Sequence, residues 1–251
     1  MAERTAGRGP VRAEPSGKRV RVFLGGRLLV DSDDASYVWD IPHYPQYYLP
    51  LAHVRAGALE ATGTVVEDPG WGEATVYTVR CGGREVAAGA VGYPGGPPSA
   101  RRDRVRFRFD AMDAWFEEDE EIFGHPRDPG TRVQILASSR SVTVELDGTV
   151  IASSSRPTLV YETGLPRRTY FPKLDVRMDL LEPTATTSRC PYKGTARYWT
   201  VRTAAGVHPD VAWSYPAPVA ESAPIAGLVA FYDERVGLRT EPVLPPLEGP
   251  R

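Results

Sequence analysis

Cys190 and Lys193 stand three residues apart in the run Cys190-Pro191-Tyr192-Lys193-Gly194. A Pro/Gly-bounded turn holds such residues close together. An ammonium beside a thiol favours the thiolate, the form that nucleophilic or redox chemistry requires. A small buried residue next to a turn fits the same pattern, because Cys is among the residue types most often buried. His208 shares this half of the chain but not the neighbourhood of the turn in sequence. Lys193 could instead pair with Asp179 or Glu182, or hold an anionic ligand group.

Upstream, Thr184, Thr186, Thr187 and Ser188 place hydroxyls on what reads as a loop before Cys190. They serve either turn backbone groups or a polar pocket. Tyr198, Trp199, Trp213, Tyr215 and Tyr232 supply aromatic walls with polar tips, for a pocket or for core packing. The candidate catalytic pair is therefore Cys190 and Lys193. The candidate ligand-binding set is Arg177, Asp179, Glu182, Thr187, Ser188, Tyr192, Tyr198, Trp213, Tyr215 and Tyr232. Arg177 and Glu182 have matches in the first half, Arg55 and Glu60, which favours a scaffold role for them.

Other chemistries find little support. Four histidines with no His-x-x-x-His spacing and no Cys-x-x-Cys give no zinc pattern, so no metal or cofactor is expected. A formal net charge of −2 argues against a polyanion-binding surface, so no nucleic acid is expected. The basic run Arg101 to Arg108 alternates with Val105 and Phe107, as the wet face of a strand does, and acidic Glu117 to Glu121 follows it. No apolar run reaches membrane-spanning length, and the opening residues are polar and basic. A cytoplasmic protein with reduced thiols is the expectation, taking an unknown small molecule as partner, with no membrane partner.

The elements that must position these residues come from a duplication. At a shift of 122 residues, Val20, Val22, Leu24 and Gly26 meet Val142, Val144, Leu146 and Gly148. Tyr48, Pro50, Val54 and Arg55 meet Tyr170, Pro172, Val176 and Arg177, and Thr78-Val79-Arg80 meets Thr200-Val201-Arg202. Tyr93-Pro94 meets Tyr215-Pro216, and Phe109 meets Phe231. Roughly a quarter identity over about 90 positions is what a tandem duplication leaves. One constant shift implies equal loop lengths and one shared fold.

Each copy opens with period-two alternation into a hairpin turn, Gly25-Gly26 or Asp147-Gly148. Val38-Trp39 and Leu159 to Tyr161 read as strands, broken by turns at Pro42, Pro45 and Pro166. Pro50 and Pro172 each start a short helical turn. The expected class is mainly β: two tandem homologous small domains, each a strongly twisted antiparallel sheet or partly open barrel, joined by a short acidic helix. Met112, Trp115 and Phe116 share a face of that helix, Asp110 to Phe123. The boundaries read as a disordered tail 1–18, a first domain 19–109, a helical linker 110–131, a second domain 132–240 and a tail 241–251.

The second-half motifs are Val176-Arg177-Met178-Asp179-Leu180-Leu181-Glu182-Pro183-Thr184, Cys190 to Ala196, Tyr198-Trp199, Ala212 to Tyr215, Ile225-Ala226-Gly227 and Val229 to Tyr232. These, with the bridge Phe109 to Glu121, resemble the uncharacterised bacterial domain-of-unknown-function family numbered 427, in its two-domain branch. The resemblance covers nearly all of the chain beyond the opening tail. It implies a compact twisted β domain and no established activity. No Asp-x-Asp pair following a Gly-Ser turn and no Gly-rich phosphate loop supports a nucleotidyltransferase. The first copy departs from the pattern, with Asp68-Pro69-Gly70-Trp71-Gly72 in place of the Cys190 to Gly194 turn.

Three functions follow as expectations. The leading one is a small-molecule-binding β module with its pocket beside the Cys190 to Gly194 turn. The second is an enzyme with Cys190 as nucleophile, and the third is an interaction scaffold.

Overall fold

The computed structural model describes residues 12–68, 72–95 and 102–241. It divides into two compact units, Met1–Pro129 and Gly130–Arg251. The first contains β1 (Arg12–Pro15), β2 (Val20–Leu24), β3 (Arg27–Ser32), β4 (Ser36–Ile41), β5 (Tyr44–Pro50), β6 (Leu59–Asp68), β7 (Gly72–Cys81), β8 (Arg84–Gly92), β9 (Arg104–Phe107), β10 (Ala114–Glu117) and β11 (Glu120–Ile122). A seven-stranded sheet runs β1-β4-β5-β9-β8-β7-β6, and a four-stranded sheet runs β11-β10-β2-β3.

The second unit repeats this plan with β12 (Val133–Ala137), β13 (Val142–Leu146), β14 (Thr149–Ser154), β15 (Thr158–Glu162), β16 (Arg168–Phe171), β17 (Leu181–Cys190), β18 (Gly194–Arg202), β19 (Val207–Ser214), β20 (Val229–Phe231) and β21 (Gly237–Thr240). Its large sheet runs β12-β15-β16-β20-β19-β18-β17, strand for strand the order of the first, and its small sheet runs β14-β13-β21. Every strand pair is antiparallel and each large sheet is open, ending at its outermost strands. Among the described residues, no helix is long and apolar enough to cross a membrane.

The alternation read from sequence sets what each strand buries. Val142, Val144 and Leu146 point into one core while Thr143 and Glu145 are half-buried. The turn that follows has positive φ at both Asp147 and Gly148, as a two-residue hairpin of matching twist requires. Central strands of the large sheet are buried on both faces. In β5, Tyr48 faces a cluster with Val38, Ala74 and Tyr93, whereas Tyr47 and Leu49 face the main core with Val22, Val79 and Trp115. In β16, Tyr170 and Phe171 divide in the same way between two cores.

Short 3-10 turns at Leu51–His53 and Lys173–Asp175 begin directly after Pro50 and Pro172, where the prolines put them. In both units the next residues return to the small sheet: Val54 bridges Val30 on β3, and Val176 bridges Ala152 on β14. Pro45 does not break a strand as expected. It sits within β5 where the pairing with β4 shifts between Val38 and Ile41, so its missing N–H costs no ladder bond.

Three further expectations are corrected. Residues 110–131 are not a helical linker, and the expected helix from Asp110 to Phe123 is absent. Phe109–Ala111 is one 3-10 turn, and β10 and β11 form a hairpin whose first strand pairs with β2. Trp115 is 2% exposed in the main core, and Glu117 faces inward, accepting a hydrogen bond from Tyr47 Oη at 2.8 Å and pairing with Lys18. Sheet pairing to β2 overrides the helix-favouring composition, and the first domain therefore extends beyond residue 109. Residues 12–18 of the expected disordered tail are also ordered, because β1 pairs with the edge of β4 and the Arg12 guanidinium lies 4.2 Å above the Trp39 ring. Residues 1–11 and 242–251 of the expected tails lie outside the described residues.

Finally, one constant shift does not run through the whole repeat. Leu49 pairs with Val105 and Phe171 with Val229, and Ala90 and Ala212 pair with Phe107 and Phe231. The structural counterpart of Phe231 is thus Phe107, not Phe109, because the connection before β20 is longer than the one before β9.

Trp115→Ala tests the placement of β10. It should destabilise a fragment spanning residues 12–129 by about 3–5 kcal/mol in urea unfolding, the cost of emptying a core indole site. A cost below about 0.5 kcal/mol would restore a solvated linker.

Candidate functional site

One face of the second large sheet carries a cavity of about 160 Å³. Its walls follow from strand parity. Val160 and Glu162 on β15, Arg168 and Tyr170 on β16, Tyr198 on β18 and Trp213 on β19 all point to this face. Leu165 and Pro166 close it from the turn between β15 and β16, and Tyr215 and Tyr232 from just beyond β19 and β20. Phe171, Val201, Ala212 and Phe231 point to the opposite face and pack in a separate core.

The aromatic walls are tied to one another. Trp213 Nε1 donates to Tyr170 Oη at 3.2 Å, and the Trp213 and Tyr232 rings lie 4.4 Å apart between centroids. Arg168 lies over both rings, at 5.8 and 5.7 Å, and forks onto Glu234 at 2.9 and 2.7 Å. Tyr198 Oη and Ser188 Oγ share a hydrogen bond of 2.8 Å at the pocket edge. Burial pushes the Tyr170 and Tyr215 phenols well above the ordinary range. Burial, then a hydrogen bond with Tyr198, pushes Tyr232 up to about 12. All three remain neutral hydroxyls at physiological pH.

Lys193 reaches this face from the turn between β17 and β18. Its amide donates to Cys190 O at 3.3 Å, and its carbonyl accepts from the Val219 amide at 3.3 Å. Gly194 closes the turn with φ +101°, where a Cβ would also approach Ala217 O at 3.2 Å. Ser222 Oγ braces the turn from outside by donating to Tyr192 O at 2.8 Å. The Lys193 ammonium pairs with the Glu162 carboxylate, and the two side chains are only 11% and 10% exposed. An ion pair so removed from water is costly to desolvate and is costlier still to break on one side.

The structure brings Lys193, Tyr198, Trp213, Tyr215 and Tyr232 of the candidate set together, with Ser188 at the edge. Other candidates lie elsewhere. Arg177 and Asp179 pair with each other on the exposed surface, at 2.9 and 2.6 Å. Glu182 pairs with Arg202 at 2.6 Å, also exposed. Neither carboxylate is the partner of Lys193, which corrects that expectation. The hydroxyl-bearing run is strand β17 rather than a loop: Thr187 pairs opposite Arg197 on an exposed stretch, while Thr184 and Thr186 donate to Asp210 at 2.7 and 2.8 Å. The Tyr192 side chain is half-buried outside the cavity lining. Cys190 is half-buried against the Tyr170–Tyr215 cluster and does not line the cavity. Trp199 faces the opposite core.

Sequence reasoning missed Glu162, Arg168 and Tyr170. The same period-two parity that placed the hydrophobic residues reaches these three, since Glu162 and Tyr170 share a face with Val160. In the first domain, Val38, Tyr48 and Tyr93 occupy the positions of Val160, Tyr170 and Tyr215 and are likewise buried. There Asp40, Gln46, Val76 and Val91 stand where the second domain has Glu162, Arg168, Tyr198 and Trp213. Trp71, at the position of Lys193, lies outside the described residues together with Pro69 and Gly70. Among the described residues, no group of three or more His, Cys, Asp or Glu side chains is arranged to hold a metal ion.

A family model described as a domain of unknown function (DUF427) matches residues 12–118 and again residues 134–241. The first match takes in both β1 and β10. No curated protein matches the chain.

Two measurements test the electrostatics. Lys193→Ala should cost about 3–5 kcal/mol by stranding the Glu162 carboxylate, whereas Glu162→Leu with Lys193→Met should recover much of that loss. Equal costs for the single and double variants would remove the buried pair from the account. Glu234 has its carboxyl held below the ordinary 4.5, first by the hydrogen bond from Arg168. A lowered folded value adds stability above the unfolded one and loses it as pH falls through the folded one. Glu234→Gln should therefore lower Tm near neutral pH, and the gap should shrink as pH falls below the ordinary carboxyl range. A gap independent of pH would contradict this.

Proposed function

The chain belongs to the DUF427 family and carries its domain twice, and we propose that it is a small-molecule-binding protein whose second domain holds the ligand. The observation that carries this reading is the cavity of about 160 Å³ with five aromatic walls and an ion pair in its lining. An apolar cavity of ~150 Å³ accepts a benzene ring, so this one has room for a single ring with small substituents. Concave aromatic walls with a few convergent polar groups are the usual composition of such sites.

The first domain keeps Tyr48 and Tyr93 of this face but has no counterpart of the Trp213 indole, the Arg168 guanidinium or the Tyr198 phenol. One ligand per chain is therefore the expected stoichiometry. Catalysis by Cys190 has less in its favour, since the Lys193 ammonium that was to assist it is engaged by Glu162 and the thiol stands outside the cavity lining.

A panel of ring-sized ligands, screened by thermal unfolding of the full chain, provides the test. A ligand at 100 times its Kd stabilises the native state by ~2.7 kcal/mol, enough to raise Tm by several degrees. Trp213→Phe should reduce that rise, and Trp199→Phe, on the opposite face of the same sheet, should leave it intact. No shift with any ligand, or a shift insensitive to Trp213, would sink the reading.

A further inference from the structure

We propose that the second-domain pocket selects neutral, flat ring compounds with an N–H next to a C=O, the edge found in cyclic amides, imides and pyrimidinediones. This rests on the pocket reading above and adds the chemical class of the ligand.

The first argument is charge. The charged groups of the lining are matched within the protein: Lys193 with Glu162, and Arg168 with Glu234 at 2.7 Å and Asp233 at 3.9 Å. An anion or a cation entering here brings a charge with no counterpart, into surroundings where the lysine and glutamate are about nine-tenths covered. A neutral ligand leaves the existing balance in place. The buried phenols, held neutral, add hydrogen-bonding capacity without charge.

The second argument is hydrogen-bonding geometry. An ammonium has three N–H donors, and a carboxylate has two acceptor oxygens. Among the described residues, Glu162 Oε2 is the side-chain partner of Lys193 Nζ. The pair therefore presents further N–H donors beside the second carboxylate oxygen, a donor next to an acceptor on the wall of the cavity. The complementary ligand edge is an acceptor next to a donor. A cyclic amide holds C=O and N–H on the same side of one ring and engages both charged groups without separating them. Bonds to charged partners are the stronger kind, and leaving them unmade at a mostly buried pair is penalised, so this edge confers selectivity as well as affinity.

The third argument is shape. Trp213 and Tyr232 form one wall, with Arg168 above them, while Val160, Leu165 and Pro166 supply apolar surface. Those aromatic and apolar surfaces favour a compact ring over a branched polar chain.

The test uses the full chain and isothermal titration with four probes: uracil, 1,3-dimethyluracil, benzoate and benzylammonium. Uracil should bind at one site per chain. 1,3-Dimethyluracil, with the same ring and no N–H, should bind at least tenfold more weakly, and the two charged rings more weakly still. In Glu162→Leu/Lys193→Met, which strands no charge, uracil should lose its advantage over its dimethyl analogue. Equal binding of the two uracils by the unaltered chain would overturn the proposal. So would tighter binding of either charged ring; if that binding depends on Trp213, the pocket itself stands and only the ligand class fails. If no probe binds while another ring from the thermal panel does, the ligand class fails alone. If nothing binds at all, both fail.

Discussion

Strand register is the constraint on which both domains depend. The central strands of each large sheet are buried on both sides, so neighbouring residues serve different cores: Tyr48 and Leu49 in one domain, Tyr170 and Phe171 in the other. A slip of one residue would exchange the two faces and put each side chain into the core shaped for its neighbour. The hairpin turns at Gly25-Gly26 and Asp147-Gly148 set the small sheets. The bridges Val30 to Val54 and Ala152 to Val176 connect those sheets to the chain that leaves the large ones. The same positions recur in both domains, so the register belongs to the duplicated scaffold rather than to either copy.

On that scaffold the two copies use one face differently. Where the first domain has Val76 and Val91, the second places Tyr198 and Trp213, a directly opposed cross-strand pair. Aromatic pairs of this kind stabilise a sheet, and here both rings also line the cavity. The Glu162–Lys193 pair lines it. Keeping both ions there is a poor way to gain stability alone, because well-packed apolar residues of similar volume usually serve as well or better. Their place in the cavity lining is what the binding role proposed for this face calls for.

Much of the fold was legible in the sequence. Period-two alternation, the Asp-Gly turn and the two helix-starting prolines all name elements that are present. The duplication showed that one fold had to serve twice. The acidic run after Asp113 was misread because composition near Glu117 to Glu121 favours a solvated helix, and only the partner strand β2, about 90 residues earlier, makes it a strand. β1 was missed for the same reason: four residues with weak alternation acquire structure from the edge they pair with. Of the site, the aromatics were legible by residue type. Strand parity places Glu162 and Arg168 on the same face, but their pairing with Lys193 and Glu234, distant in sequence, leaves no local spacing to read. The Cys190 to Gly194 turn singled out in the sequence brings Lys193 to the cavity wall, while its thiol lies outside the lining.

The central claim is that ligand meets the protein at the Trp213 face of the second domain. The most direct measurement is a titration followed through the indole N–H resonances of the chain's five tryptophans, using a ligand that raises Tm and assigning Trp213 with Trp213→Phe. The account predicts that the Trp213 signal moves on saturation while those of Trp39, Trp115 and Trp199 hold still. Movement of Trp39 or Trp115 with Trp213 unchanged would place the ligand in the other domain and contradict it.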